Sequence, residues 1–311
     1  MRIVFMGTPV AAVPALRRLL NDGHEVVAIY TQPDRPSGRG NKIALSPVKE
    51  FAIANDLNVF QPTKIRTPEV LEEFRSHHAD VVVVVAYGRI LPETFLTAFP
   101  KGAINVHFSL LPKYRGAAPV NWAIVNGEKT SGVTTMQMDA GLDTGDILLQ
   151  SETAIGDDET AGELMSRLAS MGANLISDTL DRIAALVPRK QNESEATLAP
   201  IMKKADGLID WSGDATSISN RVRGFQPFPT AFSYLDGKKV TIWKSRPAHH
   251  EESGQAFGEI VIARGDSLIV SCGNNTFLQI DELQLEGKRR VSSRDFINGV
   301  KPVVGDKFGN E

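Results

Sequence analysis

One cysteine among 311 residues, Cys272, excludes an internal disulfide and leaves no thiol pair for a metal site. Such usage fits a reducing compartment, and Cys272 itself reads as a small apolar strand residue. Histidine is scarce as well, and His77-His78 and His249-His250 are adjacent pairs expected on surfaces, not metal-ligand spacings. No apolar run reaches the about 18 residues a membrane span needs. The opening "MRIVFMGTP" meets glycine and proline too early for a signal peptide. A soluble cytoplasmic protein is expected. The net charge of −3 offers no global attraction to nucleic acid, so any RNA contact must come from local basic patches. A dinucleotide fingerprint is also missing. Only Gly7 stands where Gly-x-Gly-x-x-Gly would be, and Asp34 lies inside "TQPDRPSGRGNK" instead of at a strand end.

What is there suits a two-domain globular protein, with 42% hydrophobic and 23% charged residues. The first half alternates strands and helices: "RIVFMG", a helix from Val13 to Leu20, "HEVVAIYT", the helix "PVKEFAIAND", then "ADVVVVVAYG" and "GAINVH". The unbroken valines Val81 to Val85 predict a parallel strand covered on both faces. This order predicts a doubly wound, Rossmann-like, mostly parallel α/β sheet. "SGVTTMQMD" and "GDILLQSETAI" read as a strand pair at its edge. A helix is expected from Thr160 to Leu186, with Leu164, Leu168, Met171, Leu175, Ile176 and Leu180 on one stripe and Pro188 ending it. The expected division is a first domain over 1–188, a polar linker over 189–206 and a second domain over 207–311. Short strands and the Asp236-Gly237 hairpin signal make that second domain a small all-β barrel or sandwich.

Chemistry concentrates in two stretches. In "INVHFSLLP", Asn105 and His107 are two apart, so a strand points both side chains to one side, at the carboxyl end where open α/β sheets bind ligands. Alone, such a histidine is more often a structural residue bonding a backbone carbonyl; with Asn105 beside it the two readings are even. In "MQMDAGLDTGD", a strand delivers Asp139 and a glycine-bearing turn delivers Asp143. That cluster reads either as a solvated turn or as a carboxylate that orients the imidazole. An amide, an imidazole and a carboxylate, with no nucleophile of their own, suit direct acyl transfer between two bound substrates. The amide and imidazolium would stabilise an oxyanion, while the carboxylate holds the histidine. The long stretch from Thr31 to Lys49 carries Arg35, Arg39, Lys42 and Lys49 among glycines and prolines. It is either a solvated loop or a basic arm for a phosphate backbone.

Together, "INVHFSLLPKYRGAAPVNWAI", "GVTTMQMDAGLDTGDIL", "TQPDRPSGRG", "VVVVAYGRILP" and "IDWS" resemble, in order and over nearly the whole chain, the folate-dependent formyltransferases. The resemblance implies an N-terminal domain for 10-formyltetrahydrofolate and an OB-like C-terminal barrel that grips tRNA, with no metal. It implies Asn105, His107 and Asp143 as catalytic residues. It further implies folate contacts from Arg89, Ile90, Leu91, Ser109, Leu110, Leu111, Pro112 and Asp139. The loop resembles that of the tRNA-specific branch, which implies tRNA contacts from Arg35, Arg39 and Lys42, with Arg39 matched to the initiator-tRNA contact. The implied reaction moves a formyl group to the methionine α-amino group of initiator methionyl-tRNA, by a monomeric enzyme. A formyltransferase for a nucleotide 4-amino sugar and a catalytically silent RNA-binding protein remain the alternatives. Phe108 departs from the family, where many members have a small residue, and altered packing with activity kept is expected.

Overall fold

The structure, a computed structural model, describes residues 1–37, 42–251 and 254–309. Contacts divide the chain into two units. The first comprises Met1–Pro119, Thr130–Thr153 and Met165–Ala199; the second comprises Val120–Lys129, Ala154–Leu164 and Pro200–Glu311.

The chain begins β1 (Arg2–Gly7), α1 (Val13–Asn21), β2 (Glu25–Tyr30), β3 (Arg35–Ser37), β4 (Lys42–Ala44), α2 (Pro47–Ala54), β5 (Val59–Phe60) and α3 (Pro68–Ser76). It continues β6 (Val81–Val85), α4 (Glu93–Leu96), β7 (Ala103–His107), β8 (Arg115–Gly116), α5 (Pro119–Val125), β9 (Thr130–Gln137), β10 (Ile147–Ala154), α6 (Ala161–Arg182) and β11 (Leu198–Ala199). The first unit's main sheet runs β10-β9-β7-β6-β1-β2-β5. Strands β5, β2, β1, β6 and β7 are parallel, and β9 is antiparallel to β7. The order reverses between β1 and β6, which marks the switch point of a doubly wound sheet.

Both faces of this sheet are covered. Val4, Met6, Val82 and Val84 join a cluster with Phe74, Phe95 and Phe99, while Ile3, Phe5, Val81, Val83 and Val85 are equally buried. Helices α2 and α3 are short, and each owes its start to local chemistry. Ser46 and Thr67 accept from the backbone N–H of Lys49 and Val70, and a proline opens each helix. Helix α6 stops at Arg182, four residues before the expected end. There the N–H groups of Ala185 and Leu186 turn back onto the Arg182 carbonyl, so a turn ends the helix ahead of Pro188.

Phe108, directly after β7, is buried beside α6. A Cβ at Gly172 of that helix would lie 3.5 Å from the Phe108 ring and 2.8 Å from Val106. The glycine therefore lets helix and strand approach, and the phenyl ring fills the space next to it. Phe108→Leu is expected to cost about 1 kcal/mol in urea unfolding, with activity kept. A loss of turnover without loss of stability would move Phe108 from packing to the site.

The stretch read as a loop over 31–49 contains an antiparallel ribbon, β3 with β4. Its strands are too short and too rich in proline and charge to show alternation. At its base Asp34 accepts from Lys49 Nζ at 2.5 Å and from Gln61 at 2.8 Å. Chiefly the Lys49 bond holds the Asp34 carboxyl below its ordinary range.

In the second unit α7 (Ala215–Gly224), β12 (Ala231–Leu235), β13 (Lys238–Ala248), β14 (Ile260–Arg264), β15 (Ser267–Ser271), β16 (Phe277–Leu285), β17 (Val291–Ser292), α8 (Ser293–Val300) and β18 (Phe308–Gly309) form a small barrel. The antiparallel sheet runs β14-β15-β16-β13-β12-β18. It curls until the Phe308 N–H donates to the Gly258 carbonyl at 2.8 Å, beside the start of β14. Asp236 and Gly237 both take positive φ in the tight turn between β12 and β13, as their sequence predicts. Cys272 is buried, and burial pushes its thiol up to about 12. Among the described residues no helix is long and apolar enough to cross a membrane, and no cluster of His, Cys, Asp and Glu could hold a metal.

Candidate active site

Strand β7 is buried along its whole length, flanked by β6 and β9. Such a position fixes its backbone and directs Asn105 and His107 to one face. The Asn105 side chain is only 8% exposed, yet no hydrogen bond ties its amide to another described residue. Its amide is not among the fully buried side-chain groups left without a partner, so it keeps contact with solvent. An amide that meets solvent and no neighbouring residue is free to donate to a bound molecule.

His107 is 5% exposed, and its Nε2 lies 2.9 Å from the Tyr114 carbonyl oxygen. A carbonyl only accepts, so Nε2 carries the proton and donates it. Nδ1 then faces Asp143 Oδ2 at 3.7 Å, beyond a hydrogen bond but within electrostatic reach. The same carboxylate oxygen accepts from the Gly116 N–H at 2.8 Å. Tyr114 and Asp143 both adopt left-handed φ, at 62° and 52°, and so does Ala86 after β6. Strain of this kind gathers where structure serves a site.

The structure thus brings Asn105, His107 and Asp143 together. The remaining expected residues are placed differently. Asp139 accepts from the Gly141 N–H at 3.0 Å and from the Thr144 hydroxyl at 2.7 Å, organising the turn that presents Asp143. Ser109 is buried, and its hydroxyl donates to the Lys113 carbonyl at 2.6 Å. Leu111 packs with Met136 and Ile147, and Leu110 and Pro112 are half-buried in the same turn. Arg89 donates to the carbonyls of Pro62 and Thr63. Ile90 and Leu91 line an open hollow of about 540 Å³ together with Leu71, Phe95 and Ala140. An adjoining hollow of about 510 Å³ is edged by Lys64, Arg66 and Arg89. Arg35 is exposed on β3 and Lys42 opens β4, while Arg39 lies outside the described residues.

Arg115, Gln191 and Glu193 were not singled out by sequence reasoning. Arg115 is 5% exposed and donates to both carboxylate oxygens of Glu193 at 2.8 Å. That bond, ahead of the charges of Asp139 and Asp143, raises the Arg115 pKa above its ordinary value, and it lowers that of Glu193. Arg115 falls inside a quoted motif, but Gln191 and Glu193 sit in a polar stretch without period or pattern.

Family models described as "Formyl transferase" and "Formyl transferase, C-terminal domain" match residues 1–180 and 201–301. The chain belongs to the formyl transferase family. A curated methionyl-tRNA formyltransferase of Citrifermentans bemidjiense is 50% identical over 313 aligned residues, spanning 100% of this chain and 97% of that protein. One from Solibacter usitatus is also 50% identical, over 99% of both chains. A solved Helicobacter canadensis N-formyltransferase, described in complex with folinic acid and dTDP-3-aminofucose, has a TM-score of 0.67 at 21% identity. It aligns with 89% of this formyl transferase and 98% of its own chain. That last likeness speaks to the fold.

Proposed function

We propose that this formyl transferase moves the formyl group of 10-formyltetrahydrofolate to the methionine α-amino group of initiator methionyl-tRNA. The observation that carries the reading is 50% identity, over the full length, to proteins named methionyl-tRNA formyltransferase. Site geometry supports it. Bound folate supplies the formyl carbon and departs through its N10 nitrogen. Asn105 donates from its free amide to the formyl oxygen as negative charge develops there. His107 keeps its Nε2 proton on the Tyr114 carbonyl, so Nδ1 takes the proton shed by the attacking amine and passes it to N10 as the bond between the formyl carbon and N10 breaks. Asp143, facing Nδ1, offsets the charge this creates. In this reading Asn105 gives the hydrogen bond to the oxyanion, and the positive charge gained by His107 stabilises the same oxygen.

The residues present also fit the donor's shape and charge. The apolar hollow by Ile90, Leu91 and Ala140 suits a flat ring, and the Lys64, Arg66 and Arg89 edge suits a carboxylate tail. In this reading Arg35, Arg39 and Lys42 meet the tRNA backbone, and the enzyme works in the cytoplasm with translation. Formyl-methionyl-tRNA and tetrahydrofolate should form in equal amounts from the two substrates. Release of formate without formylated tRNA would reject the proposal.

A second reading rests on the fold neighbour whose described ligand is a dTDP-amino sugar. It keeps the chemistry and changes the acceptor.

A further inference from the structure

We infer that Gln191, oriented by Arg115 and Glu193, is the positioning residue that holds Asp143 in register with His107. The inference rests on reading Asp143 as the carboxylate of the formyl-transfer site. Within the turn carrying Asp143, the Asp139 carboxylate ties Gly141 and Thr144, but those bonds do not reach Asp143 itself. Gly141 and Leu142 are exposed, and Asp143 sits at left-handed φ between a glycine-rich start and Gly145. Loops of this kind, with few apolar contacts, open at low cost unless something outside them intervenes.

Gln191 intervenes on the backbone side. Its Nε2 donates to the Asp143 carbonyl at 2.8 Å and to the Gly145 carbonyl at 2.7 Å, spanning the turn. Its Oε1 accepts from Arg115 Nε at 3.0 Å and Nη2 at 2.8 Å. The amide therefore has one workable orientation, with its oxygen toward the guanidinium and its nitrogen toward the carbonyls. Arg115 is fixed in turn by its two-point pairing with Glu193, a geometry more specific than a point charge.

The segment bearing Gln191 is anchored at both ends of the same unit. Ile147 and Arg189 exchange backbone bonds of 2.8 Å each way, and β11 pairs parallel to β8. Strand β8 contains Gly116, whose N–H donates to the Asp143 carboxylate. Asp143 is thus gripped twice, at its backbone by Gln191 of the strap and at its carboxylate by Gly116 of the strand paired with that strap. Gly116 itself has φ of +120°, and a Cβ there would meet the Ala199 carbonyl at 2.7 Å, so the strap lies as close as the backbone allows. The backbone anchors survive removal of the Gln191 amide. What is lost is the restraint on the Asp143 and Gly145 carbonyls.

The test is a double-substitution cycle on the full chain, read by single-turnover formyl transfer from 10-formyltetrahydrofolate to initiator methionyl-tRNA. Gln191→Met keeps the length of the side chain and removes both hydrogen-bonding ends. It is expected to lower the rate constant roughly 10- to 100-fold, since displacements near 1 Å at reacting groups carry penalties of that order. Half-saturating concentrations of folate and tRNA should stay within about twofold, and the melting temperature within a few degrees. In an Asp143→Ala background the same substitution should change the rate by no more than about twofold, because the residue it positions is gone. An unchanged rate in the parent background, or the full loss repeated beside Asp143→Ala, would overturn the inference. If Asp143→Ala alone leaves turnover intact, the assignment of Asp143 falls and this inference with it. If the parent chain forms no formyl-methionyl-tRNA, the proposed function itself has failed, a result visible before any variant is made.

Discussion

Asn105→Ala is expected to slow formyl transfer by ~10²–10³-fold while folate still binds, the usual loss for one oxyanion donor. The argument is steric as well as electrostatic. Asn105 sits in a buried strand whose neighbours on both sides fix its backbone, so its amide is aimed without needing to be ordered during the reaction. No described residue occupies that amide in the free chain. Alanine at this position removes a donor and leaves the sheet unaltered, so binding and stability should hold. Asn105→Asp should lose at least as much, because a carboxylate would face the oxygen where negative charge accumulates. Single-turnover rates, with folate affinity measured beside them, separate the two effects. Near-parental turnover in Asn105→Ala would remove it from the chemistry.

Gly145→Ala should be nearly as damaging, for a different reason. A Cβ there would fall 1.7 Å from the Gln137 carbonyl oxygen, 2.9 Å from its carbon and 3.3 Å from the Asp139 nitrogen. Every one of those atoms is backbone, so no side chain can swing aside. The turn must open where β9 ends, and the Gly145 carbonyl that accepts from Gln191 moves with it. Overpacking of this kind typically costs about 1–3 kcal/mol, and the displaced Asp143 should lower the rate constant on the order of 10²-fold. Gly299→Ala supplies the control. It lies in helix α8 with no atom within 4 Å of an added Cβ, so it should stabilise by up to about 1 kcal/mol through helix propensity alone. Unfolding in urea and turnover, measured on both variants, check the contrast. Equal stabilities would mean that the Asp143 turn is looser than its geometry implies.

Legibility from sequence followed the strength of local pattern. The valine run Val81 to Val85 and the spacing of Asn105 and His107 carried their message in adjacent residues, and β6 and β7 form there. The Asp236-Gly237 turn was equally plain. Helices α3, α4, α5, α7 and α8 and the β3–β4 ribbon were missed because they are short; Thr67, Asp214 and Ser292 cap α3, α7 and α8, and strand pairing supports the ribbon. Gln191 was hidden more deeply. Nothing in "PRKQNESE" distinguishes a side chain that braces the Asp143 turn from one that meets water. Its meaning depends on chain returning to the turn from 46 residues away in sequence. The direction of the His107 ring was likewise unreadable, since the Tyr114 carbonyl that sets it reaches back from a left-handed residue.

The most direct test of the account is a competition between acceptors. The chain is supplied with 10-formyltetrahydrofolate, initiator methionyl-tRNA and a nucleotide 4-amino sugar together, and both acceptors are assayed for formyl. The account predicts formyl on the methionine of the tRNA, with the sugar unmodified. Formyl on the sugar with none on the tRNA would contradict it.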